Sequence, residues 1–145
     1  MPADKNLAMT RRFFEEMCNQ RKLDVADQLF AANHTYNDPS TPTGPGPKGM
    51  RDVISTYQNG FGDATWTVHE SYVAGEDIVV TRWTGSGTHS GELLGIAPTR
   101  KKVKVTGIWI HRFSGGKIVE SWNNWDTLGM LQQLGVVPAL APAKG

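Results

Sequence analysis

The spacing of the apolar residues changes once along this chain, near residue 64, and that change constrains the fold more than any other feature. Before it, apolar side chains recur at the spacing of a helix face; after it, they alternate with polar ones, as in half-buried strands. Helices followed by a run of strands indicate an α+β domain with an antiparallel sheet. A parallel sheet would need strands that alternate with helices.

The first sixty residues predict three helices. The first, between Asp4 and Gln20, has a wide apolar stripe made by Leu7, Met9, Phe13, Phe14, Met17 and Cys18. A shorter helix is expected from Asp24 to Phe30. A third is expected from about Gly49 to Asn59, where Gly60 ends it.

Four strands are predicted after residue 64. They cover Trp66 to Tyr72, Ile78 to Thr84, Val103 to Phe113 and Ile118 to Trp125, with a hairpin turn at Ser114-Gly115-Gly116. A short apolar helix is expected from about Thr127 to Leu134. We therefore predict one domain over residues 1–137 and a mobile Ala/Pro-rich tail over 138–145. A curved sheet with helices on one face forms a cone around an apolar pocket that suits a small molecule.

Composition excludes several classes of function. The 145 residues carry 15 Lys and Arg against 14 Asp and Glu, which gives no electrostatic footprint for nucleic acid or an anionic membrane. No apolar run reaches the ~20 residues of a membrane helix, and no export leader is evident, so we expect a cytoplasmic protein. The single cysteine, the four scattered histidines and the lack of phosphate-loop or nucleophile-elbow motifs predict no metal and no cofactor.

The stretch from Thr106 to Asp126 is the densest in chemistry. If the hairpin is regular, Trp109 and His111 share a face with Trp122, Asn124 and Asp126. Such a face is either a ligand pocket or the solvent side of the sheet. Asp126 likewise has two interpretations, since it precedes a helix and Asp is a favoured N-cap. Thr127 could cap instead and leave Asp126 free to point into a cavity.

Three segments carry a resemblance to a known family. The first is His89 to Thr99 and the second is Val105 to Phe113. The third is Gly116 to Glu120 together with the closing run Trp125-Asp126-Thr127-Leu128-Gly129-Met130-Leu131-Gln132-Gln133-Leu134-Gly135. Together they resemble the SnoaL-like polyketide cyclases, also called ester cyclases. The resemblance runs from the first helix, through Tyr36-Asn37-Asp38-Pro39, to Gly135. It implies the NTF2-like, or cystatin-like, cone that the family shares with nuclear transport factor 2 and ketosteroid isomerase.

The resemblance also implies an activity, which is the cofactor-independent intramolecular aldol condensation of a polyketide-like 1,3-dicarbonyl substrate. Asp126 occupies the position of the family's catalytic acid/base. Asn37 fits a substrate-contacting Asn, and Trp109 holds the place of a family His, with His111 two residues further on the same face. We therefore predict Asp126 and His111 as catalytic. The predicted substrate contacts are Asn37, Trp109, His89, Trp122, Asn124 and Tyr36.

Two other functions stay open. One is a related isomerase or epoxide-hydrolase-like enzyme, in which Asn124, Tyr36 and His34 hold a water. The other is a non-catalytic binder of an apolar ring-containing molecule, which applies if Asp126 only caps its helix. The partner expected in each case is a small apolar or aromatic molecule, with no nucleic acid and no membrane. An apolar sheet face predicted at Ile108, Ile110, Val119 and Trp125 also favours a homo-oligomer, a dimer or tetramer.

Overall fold

The computed structural model describes residues 2–141. Helix α1 spans Pro2–Arg12 and continues as a π-helical segment over Phe13–Asn19. A single 3₁₀ turn, Leu23–Val25, leads into α2, Ala26–Leu29, and α3 spans Gly46–Gly60. The last helix, α4, spans Thr127–Gln133. Each predicted helix is therefore present, and the apolar stripe of the first one is buried at Phe13, Phe14, Met17 and Cys18.

Five strands form one curved, unclosed sheet. They are β1, Phe30–Asn37; β2, Thr65–Ala74; β3, Ile78–Thr88; β4, Lys102–Ser114; and β5, Lys117–Trp125. The strand order is β1-β5-β4-β3-β2. The four predicted strands are β2 to β5, which pair as antiparallel neighbours and confirm the α+β class.

Strand β1 was not predicted, and it makes the sheet mixed because it pairs with β5 in parallel. Its central residues Ala31, Ala32 and Asn33 have low β-propensity, and no regular alternation marks the segment. Its pairing with β5 is irregular between Phe30 and Thr35. This strand forms because it pairs with the open edge of β5, so its own sequence gives little indication that it is a strand.

A bulge in the β4–β5 hairpin changes which residues of β5 share a face with those of β4, so the predicted faces differ from the observed ones. The pairing shifts between Arg112 and Phe113, so that Trp109 lies opposite Asn123, and His111 opposite Ser121. One extra residue in a strand moves every later side chain to the other face. The prediction that Trp122 and Asn124 share a face with Trp109 is therefore wrong.

The helices cover the inner face of the sheet, and Trp109, Phe113 and Ile118 point into that space and are buried. No helix within residues 2–141 is long and apolar enough to cross a membrane. Residues 138–141 have no regular structure. The rest of the predicted tail, residues 142–145, lies outside the described residues, and the domain limit at 137 stays a prediction.

Candidate functional site

An apolar cavity opens between α3, the inner face of the sheet and the start of α4. Its empty volume is about 550 Å³, counted to include its open mouth. Helix α3 contributes Val53 and Ile54, α4 contributes Met130, and the sheet contributes Trp66 and Val105. Concave, mostly apolar spaces with a few polar groups are typical small-molecule sites.

Two tryptophans supply polar atoms to the cavity wall. The rings of Trp83 and Trp109 lie 6.2 Å apart between centroids, and both residues are buried. The indole Nε1 of each is buried, and no acceptor for it is found among the described residues. Both donors belong to side chains that line the cavity, and a buried donor without a partner costs free energy.

Glycines create the space in which the Trp83 ring lies. A Cβ atom at Gly107 would lie 2.6 Å from two carbon atoms of the Trp83 ring, and one at Gly85 would lie 2.9 Å from a third. Real Cβ atoms do not approach so closely, so any larger residue at Gly107 would displace the ring. These positions allow a large aromatic side chain to lie along the sheet surface.

A buried carboxylate stands beside the cavity. Asp38 Oδ2 accepts from the hydroxyl of Tyr36 at 2.8 Å and from Trp125 Nε1 at 3.0 Å. Its Oδ1 accepts from the backbone N–H of Ser40 at 2.9 Å and from the Ser40 hydroxyl at 2.6 Å. Tyr36 and Trp125 both line the cavity. The carboxylate therefore reaches the cavity only through these two side chains.

Tyr36 joins this carboxylate to an amide on β5. The Tyr36 hydroxyl accepts from Asn123 Nδ2 at 3.1 Å, while Asn123 Oδ1 is buried with no donor found within residues 2–141. Burial and the nearby Asp38 carboxylate raise the pKa of Tyr36 well above its usual value. The phenol is therefore neutral at every physiological pH.

Residues 8–134 match the model of the SnoaL-like polyketide cyclase family. The chain belongs to this family. The match covers all the strands and helices described above except the first residues of α1, which agrees with one continuous fold. A search of curated protein sequences finds no significant match.

Solved structures agree with the family. TsrD from Streptomyces laurentii is 25% identical, with a TM-score of 0.82 over 92% of this chain and 97% of that one. IdmH from Streptomyces antibioticus, a proposed polyketide cyclase, is 30% identical, with a TM-score of 0.73 over 90% and 98%. AclR from Streptomyces galilaeus, a proposed hydroxylase, is 23% identical, with a TM-score of 0.81 over 96% and 86%, and supports the fold alone.

In this SnoaL-like protein Asp126 is the N-cap of α4. Its Oδ1 accepts from the backbone N–H of Gly129 at 2.9 Å, and the residue is exposed. The capping interpretation therefore describes its position, and Thr127 does not replace it. The predicted face that joins Asp126 to both Trp109 and Trp122 does not form, because Trp122 points to the other face of the sheet.

His111, the second predicted catalytic residue, lies in the packed core beyond the cavity. Its Nδ1 is 3.2 Å from the Thr10 hydroxyl, and its ring lies 5.1 Å from that of Phe13. Burial lowers the pKa of His111 to about 3, with a smaller contribution from the nearby His34. The imidazole is therefore neutral and does not line the cavity.

The predicted substrate contacts separate into three places. Tyr36 and Trp109 line the cavity. His89 is fully buried, and its Nδ1 accepts from the backbone N–H of Thr99 at 3.1 Å, which closes the loop between them. The other three, Asn37, Trp122 and Asn124, line a second, open groove, which Tyr36 and Asp38 also border.

Two polar residues of the site, Asp38 and Asn123, escaped the sequence analysis. Asp38 belongs to the quoted Tyr36-Asn37-Asp38-Pro39 segment, so a signal existed, but β1 had not been predicted. A regular hairpin would place Asn123 on the face opposite Trp109, and the bulge that reverses this leaves no mark in the sequence. Among residues 2–141, no three His, Cys, Asp or Glu side chains lie close enough to hold a metal ion.

Proposed function

We propose that the protein is a cyclase that closes a ring in a polyketide-like 1,3-dicarbonyl substrate by an intramolecular aldol reaction inside the apolar cavity. One observation carries this proposal. The buried N–H groups of Trp83 and Trp109 have no acceptor within residues 2–141, and both side chains line the same cavity. Donors fixed in advance stabilise the negative charge that develops on a carbonyl oxygen during enolisation.

The reaction needs only proton transfers and one carbon–carbon bond. A base removes the proton from the carbon between two carbonyl groups, and the electron pair moves into the enolate. That carbon then attacks a second carbonyl of the same molecule, and the resulting alkoxide takes up a proton. Two flanking carbonyl groups already make the first proton acidic, so the required base is weak.

We assign the proton acceptor to Asp38, with Tyr36 as the relay. Among the carboxylates of residues 2–141, that of Asp38 accepts hydrogen bonds from the side chains of two residues of the cavity wall. Because the neutral phenol is a poor base by itself, it takes a proton only as it passes its own proton to Asp38. This assignment replaces Asp126, whose carboxylate caps α4.

The test compares three variants on a panel of 1,3-dicarbonyl esters that carry a second ketone. We expect Tyr36→Phe and Asp38→Asn to lower kcat by roughly two to four orders of magnitude, the usual contribution of a positioned acid or base. Asp126→Asn is the matched control, because Asn caps a helix about as well as Asp, and its kcat should not change. Thermal melts of all three variants detect any loss of folding.

The opposite pattern contradicts the assignment. If Asp126→Asn loses activity while Tyr36→Phe retains it, the carboxylate at the start of α4 is the base. Trp109→Phe and Trp83→Phe keep an aromatic ring and remove the N–H group. Each should lower kcat by roughly tenfold to a thousandfold if the indoles bind the enolate oxygen.

Non-catalytic binding is a second candidate, and one observation favours it. Four donors occupy both oxygens of Asp38, which is the full capacity of a carboxylate and leaves no free site for a substrate proton. A pure binder would take up the apolar ring compound and release it unchanged. Unaltered ligand after prolonged incubation, together with wild-type affinity in Tyr36→Phe, would support this function.

We also propose that two copies associate through the outer face of the sheet. Tyr72, Val80, Ile110 and Trp122 are paired in register across four strands, and Ile108 is 49% exposed beside them. Trp125, which had been expected on this face, lines the cavity instead. An apolar row of this kind is typical of a two-fold interface. The cytoplasmic location stays a prediction.

A further inference from the structure

The polarity of the hydrogen bonds around Asn123 can be deduced from chemistry alone. A carboxylate only accepts hydrogen bonds, so the Tyr36 hydroxyl must donate its single proton to Asp38. The Tyr36 oxygen can then only accept, and the group that reaches it from β5 must be the NH₂ of Asn123. The amide is thereby held in one orientation, with Oδ1 as its free end.

That free end is buried and unsatisfied. Asn123 is 4% exposed, and no donor to its Oδ1 is found within residues 2–141. Asn123 also lines the cavity, together with Trp83 and Trp109. Three side chains of the wall thus carry two donors and one acceptor that have no partner among the described residues. A buried acceptor without a partner costs free energy until a donor is supplied.

We propose that Asn123 Oδ1 is a specificity determinant that selects ligands with a hydroxyl group in addition to a carbonyl group. This deepens the cyclase proposal, because it names a second functional group of the same substrate. The carbonyl oxygen accepts from the indole N–H groups, and the phenolic or enolic O–H donates to Asn123. Tyr36 and Asp38 act here as positioning residues, since they fix the amide and do not themselves contact the hydroxyl.

The experiment measures ligand affinity by titration calorimetry and needs no turnover. The probes are hydroxytetralones, tested across positional isomers, each beside the tetralone that carries a methyl group at the same position. The two substituents have similar size, but the methyl group is the more apolar. An apolar wall would therefore bind the methyl compound more tightly, and only a hydrogen-bond partner for the hydroxyl reverses that order. Asn123→Leu distinguishes the Asn123 acceptor from the indole donors, because a hydroxyl can both donate and accept.

We expect at least one hydroxytetralone to bind about tenfold more tightly than its methyl partner. Asn123→Leu should abolish this preference. Tyr36→Phe is the sharper variant, because it keeps Asn123 but removes both the acceptor of its NH₂ and the lock on its orientation. The preference should then fall severalfold while affinity for the methyl compounds changes little, which a merely structural role of Tyr36 would not produce.

Other outcomes overturn the inference or both proposals. If tetralones bind more tightly than tetralin, which lacks the carbonyl, and no hydroxyl isomer exceeds its methyl partner, the indole donors stand and the role of Asn123 is wrong. A hydroxyl preference that persists in Asn123→Leu overturns it as well. If no tetralone binds at concentrations up to solubility, the cavity is not a ring-binding site and the cyclase proposal fails with the inference.

Discussion

The two ends of the space between helices and sheet are lined by the same strand, yet one is packed and the other is open. On β4 the inward residue His111 meets the aromatic side chains of the π-helical segment. Its ring lies 5.1 Å from that of Phe13, and Phe13 lies 4.9 Å from Phe14 between ring centroids. Three inward positions before His111 on the same strand, Val105 faces the cavity. The difference comes from the helices that cover each end, because the alternation of β4 is the same throughout.

The polar atoms differ in the same way. In the packed end, His34 Nε2 lies 2.8 Å from the Ser121 hydroxyl, and His111 Nδ1 is paired with Thr10, so the protein satisfies these atoms itself. His111 Nε2 is the exception. In the open end, both indole N–H groups and the Asn123 oxygen are left for a ligand. Packing of one end therefore stabilises the domain, and incomplete packing of the other makes room for chemistry.

The largest expected effect contrasts two phenylalanines. Phe13→Ala should lower the free energy of unfolding by about 3–5 kcal/mol, because the ring is fully enclosed and its loss leaves a void. Phe61 lines the cavity, so one side of its ring already borders empty space. Phe61→Ala should cost only about 1–2 kcal/mol. Urea unfolding measures both, and equal losses would show that the two ends are packed alike.

Acid should weaken the packed end before the open one. Burial lowers the pKa of His34 to about 4 and that of His111 to about 3, from an ordinary value of 6.5. Below pH 6.5 the folded protein therefore binds fewer protons than the unfolded chain. As a result, the free energy of unfolding decreases as the pH is lowered. Between about pH 6.5 and 4.5 each histidine should remove about 2 kcal/mol of unfolding free energy.

The control for this pH dependence is His111→Gln, which does not titrate. Over the same pH interval the unfolding free energy of this variant should fall less steeply than that of the parent protein. The difference is the contribution of one titrating histidine. The negative charge of Glu120 acts on His34 and opposes part of the shift there. A slope identical to that of the parent protein would show that His111 is protonated in the fold.

A smaller effect is expected from adding a methyl group at Gly107, beneath the Trp83 ring in the open end. Gly107→Ala would place a Cβ atom 2.6 Å from the Trp83 ring and 2.8 Å from Trp125 Cβ. The ring must move toward the cavity, at a cost of about 1–3 kcal/mol. Ligand affinity should decrease with it. Gly44→Ala, where no atom lies within 4 Å of the added Cβ, should change neither melting temperature nor binding.

The smallest effect on folding is expected outside both ends. Ile108→Lys on the outer face should change the unfolding free energy of a subunit by less than about 0.5 kcal/mol, since the side chain is half exposed. It should nevertheless convert a dimer to a monomer in light scattering. Thr106→Lys, an exposed position two residues earlier on β4, is the matched control and should leave the dimer intact. A monomeric parent protein would refute the interface.

The sequence by itself determined the order of the helices and of strands β2 to β5, and the buried stripe of the first helix. The change of apolar period near residue 64 needs no tertiary information, because spacing along one element decides which face of it is apolar. Gly60 and Gly135 correctly marked where α3 and α4 end to within two residues. The residues of the closing Trp125–Gly135 run also pointed to the family by themselves.

Only the tertiary structure decided which polar side chains meet. The bulge in β5 exchanged Trp122 and Asn124 for Asn123 on the inner face, and a bulge is a property of two paired strands that neither strand records alone. The parallel pairing of β1 brought Tyr36 and Asp38 beside Asn123 from 87 residues away in sequence. The family resemblance predicts a catalytic Asp126, whereas the backbone N–H of Gly129 holds its carboxylate at the start of α4. Local patterns fix local structure, but a site composed of three distant segments depends on how the sheet pairs.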